Sequence, residues 1–229
     1  MKKIIVVTGS KQQCGIYQYS SCTVESLKKS TKFNFELVIA DSADDFFNYI
    51  KNNQVYAVVY NYHPSTLPWL NSSITNLVNI HQLMIVGHES VYHFEKVGAL
   101  IHTDPTFIDS GIEYAGIPPI TYYNDIVYTP PAGVLKIGTS GIGNVTKNLS
   151  AILTIIQQQF INEEVIFNVH MTNGDFVDPH GRLTNHAKAW LEYYCGKNIK
   201  VNFSNEFMSK LDLIKWLNNN DINLFWYDT

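Results

Sequence analysis

The chain has 229 residues, 45% of them hydrophobic and 16% charged, with a formal net charge of −4. This is the composition of a folded globular protein near the size at which one core divides into two. A negative balance offers no broad attraction for nucleic acid, which is excluded as a partner on that ground.

The opening Met1-Lys2-Lys3 carries the charge of a signal peptide, but the apolar run 4–7 is too short for one and ends in Thr8-Gly9-Ser10. It reads as a first strand. No stretch reaches the ~20 apolar residues that a membrane span needs. The three unevenly spaced cysteines, Cys14, Cys22 and Cys195, cannot all pair, so a reducing cytoplasm is the expected compartment.

In chain order, the strand at 3–8 leads through a polar loop into a helix over 14–29 that opens Cys14-Gly15-Ile16-Tyr17-Gln18-Tyr19. The loop 9–15 lacks the G-x-G-x-x-G spacing that lets a backbone embrace a pyrophosphate, which disfavours an ordinary NAD site. A second strand follows at 35–40, then a helix through Ile50 that Ser42 can cap, and a third strand at 55–60. After Asn61-Tyr62-His63-Pro64 come an irregular segment with Pro68, a helix near 74–80, the apolar strand 83–87, and at once His88-Glu89-Ser90. Strands at 99–103 and 120–123 complete the first sheet. Pro118, Pro119, Pro130 and Pro131 then punctuate the chain, and the domain boundary is placed near Pro131, giving domains 1–131 and 132–229.

The second half opens on residues 134–160: an apolar strand with Val134, Leu135 and Ile137, a glycine-rich turn over 138–143, and a helix bearing Leu149, Ile152, Leu153, Ile156 and Phe160. Spacings of three and four put those side chains on one buried stripe. Glycines between a strand and a helix let the backbone approach a bound group, and the free N–H groups of the helix start favour an anion. A structural turn without a ligand is the competing reading. Beyond it lie a strand at 165–169, a helix with Ala187, Trp190, Leu191 and Tyr194 closed by Gly196, and a strand at 199–203. A helix capped by Ser209 carries Leu213, Trp216 and Leu217, and a strand at 222–227 ends the chain.

Strands alternating with helices define an α/β protein with parallel sheets, whose ligands gather beyond the strand carboxyl ends. Gly15, His63 and His88 all fall there. His88 and His93 are not at the i, i+4 spacing of a helical zinc motif and no cysteine pair supplies thiolates, so no metal is expected. Ser90, Ser140 and Asp178 have no G-x-S-x-G context, which removes a serine triad.

In order along the chain, Cys14-Gly15-Ile16-Tyr17-Gln18-Tyr19, Tyr62-His63-Pro64, His88-Glu89 and Ile137-Gly138-Thr139-Ser140-Gly141 with Lys147 resemble the GT-B glycosyltransferases, especially family 4. Ser204-Asn205-Glu206-Phe207, Leu213-Ile214-Lys215-Trp216-Leu217 and the run 221–227 look like that family's later helix and strand. The resemblance implies two Rossmann-like domains facing across a cleft, and transfer of a sugar from a nucleoside diphosphate donor to an unidentified acceptor. Transfer would be retaining, without metal or cofactor. By matching positions, Gly15, Gly138, Thr139, Ser140, Gly141 and Lys147 would bind the donor diphosphate. His88 would be catalytic, and Tyr17, His63 and Glu89 would contact acceptor or sugar.

Tyr17, Tyr19, Tyr60, Tyr62, Trp69 and Tyr92 can stack on sugar rings, although aromatic residues more often pack a core. Two departures stand out. Gly138-Thr139 replaces the Gly-Arg of many members, and the family's paired glutamates would follow Thr229. The second domain is therefore expected to be incomplete, with apolar surface around Ile222, Leu224 and Trp226 open to self-association or a partner chain. Peripheral contact with a membrane is compatible with the sequence. The competing function is a non-catalytic sugar- or nucleotide-binding module that depends on a partner.

Overall fold

The computed structural model describes residues 1–80, 83–88, 94–103, 133–143 and 147–226 in full and the backbone of 113–115. The chain divides into two compact units, Met1–Tyr122 and Tyr123–Thr229. The expected boundary at Pro131 and the expected strand at 120–123 lie outside the described residues.

The first unit contains β1 (Lys2–Thr8), α1 (Gly15–Leu27), β2 (Phe33–Ile39), α2 (Ala43–Asn52), β3 (Ala57–Tyr62), α3 (Ser72–Leu77), β4 (Leu83–Gly87), β5 (Ala99–His102) and β6 (Glu113–Ala115). All pairings are parallel, in the order β2-β1-β3-β4-β5-β6. Alternate residues of the strands serve opposite faces. Ile5, Val7, Val58, Tyr60, Tyr62 and Ile85 pack with Phe46 of α2, Leu67 and Leu70 in one core, supported by Trp69 and Ile74. Burying each such large side chain contributes about 1.5–3 kcal/mol. The other face takes α1, whose buried residues are Ser20, Cys22 and Val24. Ser42 caps α2 as foreseen, and with Asp45 it forms a full capping box: its Oγ accepts from Asp45 N at 3.1 Å, and Ser42 N donates to the Asp45 carboxylate at 3.0 Å. Such a cap contributes about 1 kcal/mol.

β3 starts and ends two residues later than the sequence pattern predicts. Polar Asn61 reads as a loop residue, yet it is 1% exposed and lies inside the strand, because Ser20 below it supplies a hydrogen-bond partner at 2.8 Å. The helix expected near 74–80 is α3, started earlier by Asn71, whose side chain accepts from Ile74 N at 3.1 Å.

The second unit contains β7 (Leu135–Ile142), α4 (Leu149–Gln159), β8 (Val165–Thr172), α5 (Arg182–Tyr194), β9 (Ile199–Ser204), α6 (Lys210–Asn218) and β10 (Ile222–Asn223). The order is β10-β7-β8-β9, again parallel throughout. The helical stripe is where the spacing places it: Ile152, Leu153 and Ile156 of α4 join Leu191 of α5 over Ile137, Val165, Phe167, Val169 and Met171. Tyr194 departs from its stripe and is 54% exposed.

The glycine-rich segment is the main correction. Residues 138–142 are not a turn but the second half of β7, paired in register with 168–172 of β8. Gly138 stands in a row across the sheet with Asn202, Asn168 and Asn223, one from each other strand. Asn220, in the turn after α6, reaches over it. Asn202 donates to Asn168 at 3.0 Å, Asn168 to Asn220 at 2.7 Å, and Asn220 to Asn223 at 3.0 Å; Asn223 donates to Leu217 O at 3.0 Å. A Cβ on Gly138 would collide with the Asn220 side chain, so glycine is what lets the amide chain pass. β10 is shorter than the expected 222–227. Ile222 and Trp226 are exposed as anticipated, at 42% and 45%, whereas Leu224 packs against the core.

Gly138→Ala is expected to displace Asn220 and cost about 1–3 kcal/mol, the range for overpacking an interior site. Gly15→Ala, where nothing lies within 4 Å of the added carbon, is expected to leave stability almost unchanged. Urea unfolding of the two variants checks the contrast.

Candidate functional site

Where the chain leaves neighbouring parallel strands in opposite directions, a crevice opens beyond their carboxyl ends. In the first sheet that point is between β1 and β3. The loop after β1 closes tightly on the loop after β3: a Cβ on Gly9 would sit 2.7 Å from Thr66 O, and Cys14 Sγ lies 3.9 Å from Thr66 Oγ1. Ser10 N donates to Asp41 at 2.8 Å and ties in the end of β2.

α1 starts at this edge. Its N-cap residue, Cys14, makes no side-chain cap bond, whereas Ser42, Asn71, Asn148 and Ser209 cap α2, α3, α4 and α6. The first-turn N–H groups of α1 and its positive dipole end are suited to an anion. Gly15 opens that turn, and no packing within 4 Å demands glycine there. Tyr17 is half-buried in the same turn.

His88 follows β4 and is 8% exposed. Its backbone N–H donates to Tyr62 O at 3.1 Å, its ring Nε2 lies 3.4 Å from Asn61 Oδ1, and the Tyr19 ring meets it edge-on with centroids 5.1 Å apart. Burial, with a smaller contribution from nearby His63, pushes its pKa down to about 4. The ring is neutral at ordinary pH. His63 is held by its own loop, Nδ1 accepting from Ser65 N at 3.1 Å. Gly15, Tyr17, His63 and His88 thus share one edge, while Glu89 lies outside the described residues.

The sequence reading missed Ser20 and Asn61, 0% and 1% exposed, which connect His88 to α1. The available signal was a single amide inside the apolar run Val58-Val59-Tyr60-Asn61-Tyr62. A cavity of about 810 Å³ lined by Lys2, Lys3, Lys32, Phe33 and Tyr56 lies at the opposite, amino ends of β1, β2 and β3, away from these groups. Open, and formed where side chains splay around the sheet end, it holds none of the residues on which the site chemistry rests.

In the second sheet β7 leads to β8 on one side, and the chain returns from β9 through α6 to place β10 on the other. At the carboxyl end of β7, Gly141 leaves room for Lys147: a Cβ there would overlap the lysine Cε and Nζ. These two predicted residues are brought together. Thr139 is buried and Ser140 half-buried within β7, and Gly138 belongs to the asparagine row. Asn148 adopts a left-handed conformation, φ 38° and ψ 51°, and caps α4 by accepting from Ala151 N at 3.2 Å.

Asp178 performs the corresponding task for α5, whose N-cap, Gly181, has no side chain. It accepts from Leu183 N at 3.1 Å, Thr184 N at 2.8 Å and Thr184 Oγ1 at 2.9 Å. Burial works against its ionisation, but the N–H groups of Thr184 and Leu183, the Thr184 hydroxyl and the N–H of Arg182 more than offset this and hold the pKa below the usual carboxylate value. On the opposite face, His170 Nδ1 lies 2.9 Å from Ser204 Oγ and burial lowers its pKa. Among the described residues no group of three His, Cys, Asp or Glu side chains is placed to hold a metal ion, and no helix is long and apolar enough to cross a membrane.

No protein-family model and no curated protein sequence matches the chain. Solved structures do. An α-glucosyltransferase in complex with UDP and a 13-mer DNA containing a central A:G mismatch aligns with a TM-score of 0.68 and 8% identity, over 100% of this chain and 72% of that one. The apo form of the lipopolysaccharide outer core galactosyltransferase WaaB aligns at 0.55 with 8% identity, over 98% and 74%. A mutant O-GlcNAc transferase of Thermobaculum terrenum aligns at 0.50 with 10% identity, over 97% and 48%. Two units of this topology, matched over the full chain, define a GT-B glycosyltransferase-like fold. That α-glucosyltransferase was solved in complex with DNA, which stands in tension with the exclusion of nucleic acid drawn from net charge.

A depressed carboxylate contributes stability that is present above its unfolded pKa and is lost as pH falls through the folded one. The protein is therefore expected to lose urea resistance below the ordinary carboxylate range, and Asp178→Asn to show a lower plateau at neutral pH with a shallower acid decline. Parallel pH profiles for the two proteins would remove Asp178 from this role.

Proposed function

We propose that this protein is a glycosyltransferase of the family 4 type, transferring a sugar from a nucleoside diphosphate donor to a hydroxyl acceptor with retention and without a metal ion. The observation that carries the reading is the Lys147 amine lodged over Gly141 at the point where the second sheet's strand order reverses. When the glycosidic bond of the donor breaks, negative charge grows on the departing diphosphate. A lysine amine already in place stabilises that charge without reorganisation.

The first turn of α1 offers backbone N–H groups to the same class of anion. His88, neutral and buried, serves the sugar or the acceptor hydroxyl rather than the phosphate. UDP is the nucleotide bound in four of the aligned α-glucosyltransferase structures and is the first candidate donor nucleotide. A reducing cytoplasm is the compartment we propose, in which the thiols of Cys14, Cys22 and Cys195 stay reduced.

Calorimetry with UDP, GDP and ADP tests the donor site. A charge-assisted hydrogen bond contributes about 1.5–3 kcal/mol, so Lys147→Ala is expected to weaken binding of the preferred diphosphate by about 10- to 150-fold. Equal affinity in the variant would reject this donor site. In a sugar-transfer assay, His88→Ala is expected to cut kcat by about 100-fold or more while the unfolding midpoint moves little. Unchanged turnover would make His88 a packing residue.

A further inference from the structure

The polar groups behind His88 form a chain whose protons can be counted. Ser20 Oγ lies 2.7 Å from Ile16 O and 2.8 Å from Asn61 Nδ2, and Asn61 Oδ1 lies 3.4 Å from His88 Nε2. Ser20 is 0% exposed, Asn61 1% and His88 8%, so water does not supply alternatives.

The carbonyl of Ile16 can only accept, so the single Ser20 proton goes to it and Ser20 Oγ must accept from the next group. Asn61 therefore turns its NH2 towards Ser20 and its oxygen towards His88. The reverse orientation would spend the serine proton on Asn61 and leave two acceptor oxygens, Ser20 Oγ and Ile16 O, facing each other at 2.7 Å. An amide oxygen facing a ring nitrogen requires that nitrogen to carry the hydrogen.

We infer that Asn61, oriented by Ser20, is a positioning residue that fixes His88 as the Nε2–H tautomer and leaves Nδ1 as the nitrogen that meets a ligand. At 3.4 Å the last link is long, so it supplies direction more than energy. The consequence is chemical. A neutral imidazole presenting Nδ1 accepts a hydrogen bond and cannot donate one to a phosphate oxygen, so the group it meets is a donor such as a hydroxyl. It can also take that hydroxyl's proton on Nδ1, becoming imidazolium while Nε2–H remains on Asn61. The chain starts from the first turn of α1, so the histidine and the helix N-terminus are held by one set of bonds. That this edge meets a sugar or acceptor rests on the function proposed above; the tautomer does not.

Long-range proton–nitrogen correlation spectra of the full chain, labelled with nitrogen-15 histidine, read the tautomer directly, with His88→Gln identifying the signals. The expected result at pH 7 is a protonated-type Nε2 and an unprotonated-type Nδ1 for His88. In Asn61→Leu the two signals are expected to move towards a mixture of tautomers, and in Asn61→Asp, which keeps an acceptor oxygen, to hold the Nε2–H pattern. An Nδ1–H tautomer in the unmodified protein, or an unaltered pattern in Asn61→Leu, overturns the inference. Should Asn61→Leu fail to fold, the unmodified protein still decides the tautomer, and Ser20→Ala tests the orienting link, with a shift towards the mixture expected and no shift counting against it. In the transfer assay, Asn61→Leu is expected to lower kcat about tenfold or more with donor KM nearly unchanged, and Asn61→Asp to recover part of the loss; equal kcat in Asn61→Leu and the unmodified protein overturns the positioning role. Absence of transfer by the unmodified protein would defeat the proposed function and leave the spectroscopic result standing.

Discussion

Right-handed crossover between parallel strands is the constraint from which the positions of the functional groups follow. A connection of that hand places its helix on one face when the chain moves one way along the sheet, and on the other face when it moves back. In the first unit, α1 leads from β1 outward to β2, while α2 brings the chain back past β1 to β3. The two helices cover opposite faces, so the loops after β1 and β3 part company at their shared edge. In the second unit α6 likewise brings the chain back past β7 to β10. Neither edge needs a special motif to exist; handedness alone produces it, and the residues found there determine its chemistry.

The helix starts divide into two kinds. Where a side chain or carboxylate already occupies the N–H groups, as Asn148 does for α4 and Asp178 for α5, the helix end is committed to holding the fold together. α1 is entered through Cys14, which makes no such bond. An uncapped start forgoes about 0.5–2 kcal/mol of stability, and that gives the end of α1 a capacity that the other two have spent.

Periodicity made most of the fold legible. The three-and-four spacing of Ile152, Leu153 and Ile156, the β-branched run before Thr8 and the caps at Ser42 and Ser209 each depend on neighbours in sequence, and each is found as read. What failed depends on partners distant in sequence. Gly138 to Gly141 carry the composition of a turn, and only Asn220, 82 positions beyond Gly138, reveals that the first glycine is a strand residue cleared for an amide. Asn61 looked like a loop until Ser20 and His88 were placed on either side of it. Of the candidate site, His63, His88 and Gly15 were visible because strand ends are visible, and Lys147 through the family resemblance. The polar residues behind them were not, since a buried hydrogen bond leaves no period.

The asparagine row has a bearing on how the second unit opens. Two residues of β10 paired to β7 would by themselves open in fast local fluctuations. Yet Asn223 is fastened to Leu217 O, Asn220 to Trp216 O, and Leu224 N to Gly138 O, so this short strand and the last turn of α6 can separate from β7 and β8 only together. Amide hydrogen exchange at Leu224 then reports the opening of the whole α6–β10 corner, and the amides of 216–224 share one protection free energy where independent local openings would show a gradient.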